Sequence, residues 1–176
     1  MPGRPGLFAG LLSPLCGVAF FAAAPACALP TQTFQVTASI VNGCVISGTN
    51  TGVFGTLNFG TRPGVGTVSA TASYVQSSTI TLACTPGTTL SMSINGGANY
   101  GSSRNLKIAN NTDLVAYSLY TSATYSAASA IPVNQNVTLA YSNANNITLP
   151  IYGQLQMSGV RRAGTYSDTL TVTLSW

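Results

Sequence analysis

The sequence predicts an all-β protein, an antiparallel β-sandwich or barrel. Short runs of alternating or β-branched residues recur along the chain, separated by Gly, Asn, Ser and Pro, as is typical of strands joined by turns. No segment longer than a turn combines a 3.6-residue apolar period with helix caps. Hydrophobic residues make up 45% of the chain and charged residues 5%, so the chain can bury a core under an almost uncharged surface.

The segments with this strand pattern follow one another closely enough to fit one domain without a linker. The first is TFQVTASIV at 33–41, and the last runs from 165 to 176. The others lie at 53–59, 67–75, 78–84, 89–94, 114–120, 136–141 and 150–157. Joints such as NGG and TPGTT have turn chemistry, and RRAG at 161–164 predicts an exposed turn before the last strand.

The first 28 residues predict a secretory signal peptide. Arg4 supplies the positive start, residues 7–24 form an apolar stretch, and ACA at 26–28 fits the small-x-small cleavage rule. Acylation of Cys27 is the alternative, but Ala24 stands where a lipoprotein signal has a bulky residue. Glycine, serine and proline interrupt the apolar stretch, so no membrane insertion is expected.

Removal of the signal peptide leaves two cysteines, Cys44 and Cys84. Two cysteines in a secreted chain predict one disulfide formed in an oxidising compartment. Cys84 has the same strand parity as Ile80 and Leu82, so its side chain is expected to point inward. There the disulfide would tie two strands across the core. The chain has no histidine to complete a metal site with the pair.

The charged residues of the mature chain are few and lie far apart in the sequence. They are Arg62, Arg104, Lys107, Arg161 and Arg162 against Asp113 and Asp168, so five positive and two negative charges leave a net charge of +3. Cations scattered in this way predict neither a nucleic-acid-binding nor a membrane-binding patch.

The residue types that most enzymes need are missing. The sequence has no His and no Glu, and its carboxylate side chains are Asp113 and Asp168. Nucleophile–base pairs, paired carboxylates and His-ligated metals have too few candidates, so we expect neither catalysis nor a cofactor. Asp113 lies in a loop-like NNTD stretch and is expected to be solvated. Asp168 lies on the inward side of the last strand, near its start, where it can reach solvent or a backbone donor.

Two strands at opposite ends of the mature chain have the clearest alternation. Near the N-terminus, Phe34, Val36, Ala38 and Ile40 alternate with polar residues. In the last strand the large residues are Tyr166, Leu170, Val172, Leu174 and Trp176, and only Asp168 breaks the series. This pattern predicts strands with one buried face. It leaves open whether the first strand pairs within its own domain.

Four short motifs give the chain its resemblance to a known family. They are NGC at 42–44, LNFGT at 57–61, LACTPG at 82–87 and the ending AGTYSDTLTVTLSW at 163–176, all downstream of the alternating first strand. This order resembles the spore coat protein U domain family, which includes the pilin subunits of archaic chaperone–usher pili. The paired cysteines and the ending are the most specific parts of the resemblance.

The resemblance implies an incomplete immunoglobulin-like β-sandwich completed by donor-strand exchange. It divides the chain into a signal peptide at 1–28, an N-terminal donor segment at 29–43 and a pilin domain at 44–176. The implied donor side chains are Phe34, Val36, Ala38 and Ile40. The implied acceptor groove and chaperone-pairing strand contains Tyr166, Leu170, Val172, Leu174 and Trp176. The implied partners are a periplasmic chaperone, an outer-membrane usher and other pilin subunits, in a pilus at the cell surface.

A second interpretation is a self-contained secreted β-sandwich that coats a surface or binds carbohydrate, with its first strand paired inside its own sheet. Its candidate sugar contacts are Tyr100, Tyr120, Tyr125 and Tyr152, although isolated tyrosines in β-proteins more often serve packing. Under the pilin interpretation, one domain with a patterned N-terminal strand favours a shaft or adaptor subunit. The sequence leaves open adhesion, biofilm formation or a spore-coat role.

Overall fold

The computed structural model describes residues 34–49 and 52–176. The chain separates into two units, one ending at Ala38 and one running from Ser39 to Trp176, and the described strands all lie in the second. The signal peptide predicted for residues 1–28 and the start of the predicted donor segment lie outside the described residues. Within them, no helix is long and apolar enough to cross a membrane.

The described residues form antiparallel strands and one short 3₁₀ helix, Ala127–Ser129. The strands are β1 (Cys44–Gly48), β2 (Gly55–Leu57), β3 (Val68–Gln76), β4 (Ile80–Cys84), β5 (Leu90–Ile94), β6 (Arg104–Ile108), β7 (Leu114–Tyr120), β8 (Val137–Leu139), β9 (Tyr152–Met157), β10 (Tyr166–Ser167) and β11 (Val172–Ser175). They build a six-stranded sheet in the order β10-β6-β7-β9-β3-β2, a three-stranded sheet in the order β11-β5-β8, and a pair of β1 with β4. The predicted all-β class is confirmed.

Most of the strand predictions agree with the structure. Every strand predicted after residue 52 is found, although several are shorter than predicted and the last is divided in two. The structure adds β1 and β6, whose sequences CVISG and RNLKI lack a regular alternation. The strand predicted at 33–41 does not appear, because residues 34–43 contain no strand. A strand needs a neighbouring strand for its backbone hydrogen bonds. In the described part of the chain, no strand pairs with residues 34–43.

The core lies between two layers of sheet, as in a sandwich. Every second residue of a strand points from the inner face of its sheet into this core. The buried hydrophobic residues of the six-stranded sheet are Ala70, Ala72, Val115, Tyr117, Leu119, Leu155 and Met157. The other layer supplies Leu82, Leu90, Met92 and Ile94, all with almost no exposed surface. One hydrophobic cluster contains residues of both layers, so the sheets form a sandwich-like fold.

The disulfide joins Cys44 of β1 to Cys84 of β4. Cys84 is buried together with Ile80 and Leu82, so its inward orientation is confirmed. The expectation that the bond crosses the core is wrong. It links neighbouring strands of one sheet, because the register places the two cysteines directly opposite each other. A sequence separation of 40 residues makes the bond worth about 4 kcal/mol in the chain-entropy model.

Tyr74 of β3 gives the fold a testable alkaline pH dependence. Its hydroxyl donates to the Phe54 carbonyl at 2.6 Å, and burial raises its pKa from 10.0 to about 12. The folded state therefore favours the protonated phenol. The stability that results is complete below pH 10 and is lost as the pH rises from 10 to about 12.

We expect the free energy of unfolding of the wild type to fall relative to that of Tyr74→Phe across this pH range. Urea unfolding of both proteins at several alkaline pH values measures the difference, and the subtraction removes the contribution of the other tyrosines. A difference that stays constant from pH 10 to about 12 would contradict the prediction.

Candidate functional site at the edge of the last strand

The last strand is divided between two sheets. β10 pairs with β6 at the edge of the six-stranded sheet, whereas β11 pairs with β5 at the edge of the three-stranded sheet. The prediction of one continuous strand over 165–176 is therefore wrong. The chain leaves the first sheet after Ser167 and joins the second at Val172. The structural reason lies in the residues between these two points.

Asp168 occupies the crossing between the sheets. Its Oδ1 accepts hydrogen bonds from the Asn99 backbone N–H at 3.2 Å and from Asn99 Nδ2 at 3.1 Å. Tyr117 Oη donates to its Oδ2 at 2.7 Å. Burial, followed by this hydrogen bond, raises the pKa of Tyr117, which keeps the phenol protonated as a donor. The carboxylate lies so close to Gly97 that a Cβ there would overlap it. Asp168 thus finds a backbone donor, as its place in the sequence predicted.

The loop 95–99 holds the chain on the β11 side of the crossing. The Asn95 N–H donates to the Thr171 carbonyl at 3.1 Å, and Asn95 Oδ1 accepts from the Thr171 N–H at 2.9 Å. The Ala98 N–H donates to the Thr169 carbonyl at 3.1 Å. Because β5 ends at Ile94, these bonds extend its pairing with β11 beyond the regular ladder. They fix the register in which β11 enters the sheet.

Arg104 of β6 supports the same loop from within the protein. Its side chain is only 5% exposed, and its guanidinium donates to four backbone carbonyls. Nε bonds to Asn95 at 2.9 Å, Nη1 to Ile131 at 2.8 Å, and Nη2 to Ile94 at 2.9 Å and to Pro132 at 3.3 Å. Burial lowers the pKa of the guanidinium from its usual value. The carbonyls replace the water that a buried cation loses.

β11 continues the core face of β5 at an open sheet edge. Val172 is opposite Ile94 and Leu174 is opposite Met92, so all four side chains lie on one face of the sheet. Ile94 and Met92 are fully buried, whereas Val172, Leu174 and the preceding Leu170 are only partly buried against the core. In the described part of the chain β11 pairs with β5 alone. One row of its backbone groups therefore has no ladder partner there.

The other two residues predicted for this groove, Tyr166 and Trp176, lie outside β11. Tyr166 belongs to β10 in the six-stranded sheet, and its hydroxyl donates to the Arg162 carbonyl at 3.0 Å. The structure therefore does not bring Tyr166 into one sheet with the β11 residues. Trp176 directly follows β11 and is 61% exposed. The residues that the structure does bring together at the open edge are Leu170, Val172 and Leu174.

β1 is a second edge strand, and one of its core-facing side chains is exposed. Ile46 is opposite the fully buried Leu82 of β4, so it faces the core, yet it remains exposed. The far side of β4 is occupied, because the Cys84 N–H donates to the Ala144 carbonyl and the Ile147 N–H donates to the Leu82 carbonyl, both at 2.8 Å. β1 is consequently the outer strand of its pair.

The predicted donor side chains lie in a segment without secondary structure. Residues 34–43 form neither helix nor strand, and Phe34, Val36, Ala38 and Ile40 are all exposed. The exposed fraction reaches 87% for Phe34 and 88% for Ile40. Large apolar side chains concentrated in one exposed segment are typical of surface that another element covers. Their donor role stays a prediction.

The site presents an open strand edge and a few polar side chains. In residues 34–49 and 52–176, no three His, Cys, Asp or Glu side chains lie together in a way that could hold a metal ion. Asp113 pairs with Arg162 at 3.4 Å, and both remain accessible to solvent. An open edge with alternate apolar side chains can instead take up an extended segment through backbone hydrogen bonds.

Comparison with known families identifies the chain. A family model for the Spore Coat Protein U domain matches residues 30–173. The chain belongs to the Spore Coat Protein U domain family. The matched range begins before the predicted donor side chains and includes nearly every described strand. The resemblance that the sequence motifs indicate is thereby confirmed.

Solved structures provide more distant likenesses to this Spore Coat Protein U domain. One is a chain of the chaperone–tip adhesion subunit pre-assembly complex from the archaic chaperone–usher Csu pili of Acinetobacter baumannii, with 16% identity, a TM-score of 0.42 and 78% of this chain covered. Another is a chain of a chaperone–tip adhesin complex of CFA/I fimbriae, with 16% identity, a TM-score of 0.36 and 75% covered. This chain spans 41% of the length of each matched chain. A search of curated proteins finds no match.

Proposed function

We propose that this chain is a structural pilus subunit, carried by a periplasmic chaperone to an outer-membrane usher and displayed at the cell surface. In the proposed fibre, the N-terminal segment of one subunit inserts into the open edge of the next. Membership of the Spore Coat Protein U domain family supports the pilus assignment, because the resemblance to that family implies a pilin subunit. The observation that carries the exchange mechanism is the partial burial of Val172 and Leu174 at an edge strand.

A strand added beside β11 would satisfy unpaired backbone groups and bury exposed apolar surface of the isolated subunit. It would pair the free row of backbone groups on β11, and it would cover the exposed parts of Val172 and Leu174, which face the same way as the buried Ile94 and Met92. Strand addition of this kind takes its affinity from the backbone and its specificity from alternate side chains, and chaperone–pilin complexes are an established case.

The N-terminal segment has the side chains that such an edge requires. Burial of Phe34, Val36 and Ile40 in a neighbouring subunit would each contribute about 1.5–3 kcal/mol, on the order of 5–9 kcal/mol together before the cost of ordering the segment. Ala38 would fill its position only shallowly. The contact joins different surfaces of the two copies, so its repetition without ring closure builds a fibre.

The alternative, a self-contained sandwich that coats a surface or binds carbohydrate, gains no specific support. It needs the first strand to pair within its own sheet, and residues 34–43 contain no strand. Two of its candidate sugar contacts pack on each other, since the Tyr120 and Tyr125 rings form an edge-on pair with centroids 5.5 Å apart. Tyr120 Oη also donates to Gln154 Oε1 at 3.4 Å.

Deletion of residues 31–41 tests the proposal in a periplasmic host with and without the chaperone. The truncated chain keeps the disulfide and all described strands. We therefore expect it to co-purify with the chaperone in near-normal yield but to be unable to extend fibres seen by electron microscopy. Fibres of normal length formed by the truncated chain would show that the proposal is wrong.

Side-chain variants of the same segment provide a matched control. Replacement of Phe34, Val36 and Ile40 by Ser should reproduce the fibre defect of the deletion. Replacement of the alternate residues Gln35, Thr37 and Ser39 by Ala should leave the fibre yield close to that of the wild type, because only every second residue enters the groove. Equal defects in the two sets would point to a general role of the segment rather than to an alternating insertion.

A further inference from the structure

The exposed cations of the described chain gather at one end of the six-stranded sheet. Arg62, Lys107 and Arg162 are exposed and Arg161 is partly exposed, whereas Arg104 is buried. The sequence presents these cations as scattered, but the fold brings them together. At this end β3 and β7 begin while β6 and β9 finish, as the pairings of Val68 with Met157 and of Lys107 with Leu114 require.

A backbone hydrogen bond joins two of the loops at this end. The Arg161 N–H donates to the Gly64 carbonyl at 2.8 Å. This bond brings the loop that carries Arg62 against the loop that carries Arg161 and Arg162. Arginines separated by about one hundred residues in sequence are thus placed on adjacent loops, where their positive potentials add.

The third loop at this end connects β6 to β7 and contributes one cation and one anion. Lys107 lies at its base, opposite Leu114. Asp113 lies within it and pairs with Arg162 at 3.4 Å. Four cations against this single carboxylate leave a net charge of +3 at the end of the sheet.

Two exposed valines lie among these cations. Val65 is 63% exposed and Val160 is 76% exposed. Each is the sequence neighbour of a residue in the hydrogen bond that joins the loops, Gly64 for the first and Arg161 for the second. We call the surface formed by Arg62, Lys107, Arg161, Arg162, Val65 and Val160 the basic end.

The charge of the chain argues against a second copy as the partner of the basic end. The chain has only two acidic side chains. Asp113 belongs to the basic end itself, and Asp168 is engaged by Asn99 and Tyr117 at the strand crossing. Another copy therefore offers no cluster of acidic side chains, and the charge of the basic end is better complemented by an anionic surface of a different molecule.

We propose that the basic end binds peripherally to an anionic phospholipid surface. Guanidinium groups match phosphate oxygens in geometry and charge, and apolar side chains beside them are suited to the boundary between headgroups and acyl chains. A soluble acidic polymer would use the cations but would leave the valines without a function. The contact needs no membrane-spanning segment, and it is independent of the proposed strand exchange.

Flotation with lipid vesicles tests the proposal on the mature full-length chain. We expect binding to phosphatidylcholine vesicles that contain phosphatidylglycerol, no binding to vesicles of phosphatidylcholine alone, and release by added salt. Replacing Arg62, Arg161 and Arg162 by Ser should weaken binding about one hundredfold, since each basic residue near such a surface accounts for about fivefold. Equal binding to both vesicle types, or unchanged binding of the triple variant, would overturn the proposal.

A charge-matched control separates the basic end from net charge. Replacing Ala123, Ala127 and Ala128 by Asp changes the charge by the same amount at exposed positions beyond the other end of β7. This variant should lose much less affinity than the arginine variant, and an equal loss would contradict a localised site. Replacing Val65 and Val160 by Ser should weaken vesicle binding severalfold but leave binding to dextran sulfate unchanged. Binding to dextran sulfate without binding to the anionic vesicles would assign the surface to an acidic polysaccharide instead.

Discussion

Replacement of Leu174 by Asp is expected to abolish capture of the subunit by the proposed chaperone and growth of the proposed fibre. Leu174 faces the same way as the buried Met92, but at the sheet edge it is only partly buried. A carboxylate therefore stays solvated in the isolated subunit and loses its water when a partner strand covers the edge. An unpaired buried charge costs roughly 3–5 kcal/mol, which corresponds to about 150- to 4,000-fold in affinity.

The neighbouring Thr173 provides the control for this prediction. It has the opposite strand parity and is exposed, so Thr173→Asp adds the same charge outside the groove. Co-purification with the chaperone and fibre yield should be lost for Leu174→Asp and largely retained for Thr173→Asp. If both variants assemble like the wild type, β11 is not the acceptor strand.

Replacement of Arg104 by Met is expected to cause the largest loss of stability of any single cation. Met fills a similar space but cannot donate to the carbonyls of Asn95 and Ile131, which the guanidinium satisfies at 2.9 and 2.8 Å. The Ile94 carbonyl keeps a second donor, the Asn134 N–H at 3.0 Å. The Pro132 carbonyl, at 3.3 Å, loses its donor as well. The two shorter bonds alone, at about 1–3 kcal/mol for each acceptor left without a donor, predict a loss of about 2–6 kcal/mol in the free energy of unfolding.

Lys107, three residues further along β6, is the matched control for Arg104. It is exposed, so Lys107→Met should change the free energy of unfolding by no more than about 0.5 kcal/mol. Urea unfolding of the two variants and the wild type measures both effects. A loss of less than about 1 kcal/mol in the free energy of unfolding of Arg104→Met would contradict the prediction. It would mean that water replaces the guanidinium at those carbonyls.

The regular strands were predictable because burial on one face imposes a period of two. β5 and β7 follow this rule throughout, with Leu90, Met92 and Ile94 buried and the residues between them more exposed. The same parity located Leu170, Val172 and Leu174 on the core side of the last strand before their partners were known. Hydrophobic alternation therefore contained most of the information about both the sandwich and its open edge.

The elements that sequence reasoning missed depend on long-range polar contacts. β6 begins with a buried Arg104, and a cation at an inward position has no signal in a hydrophobic pattern. Its burial becomes possible only when carbonyls as distant in sequence as Ile131 reach it. β1 was missed because its residues are mostly exposed on both faces, and its pairing with β4 is secured by the disulfide of Cys44.

The division of the last strand was also invisible from the sequence. Alternation continues from Tyr166 to Leu174 on both sides of the crossing, so parity alone cannot distinguish one strand from two. The distinction arises from the bonds of Asp168 to Asn99 and Tyr117, which lie far away in sequence. Asp168, the residue that interrupts the apolar series, nevertheless marks the division, because a carboxylate at an inward position needs hydrogen-bond donors.

In the proposed fibre, the β11 edge accepts the N-terminal segment of another copy. Hydrogen exchange on the chain lacking residues 31–41, with and without a synthetic peptide of residues 31–41, measures whether this edge binds the segment. We expect the peptide to protect the amides of Val172–Ser175 from exchange, and a peptide with Ser at 34, 36 and 40 to leave them unprotected. Exchange in β11 that is unchanged by the native peptide would show that β11 is not the acceptor of this segment.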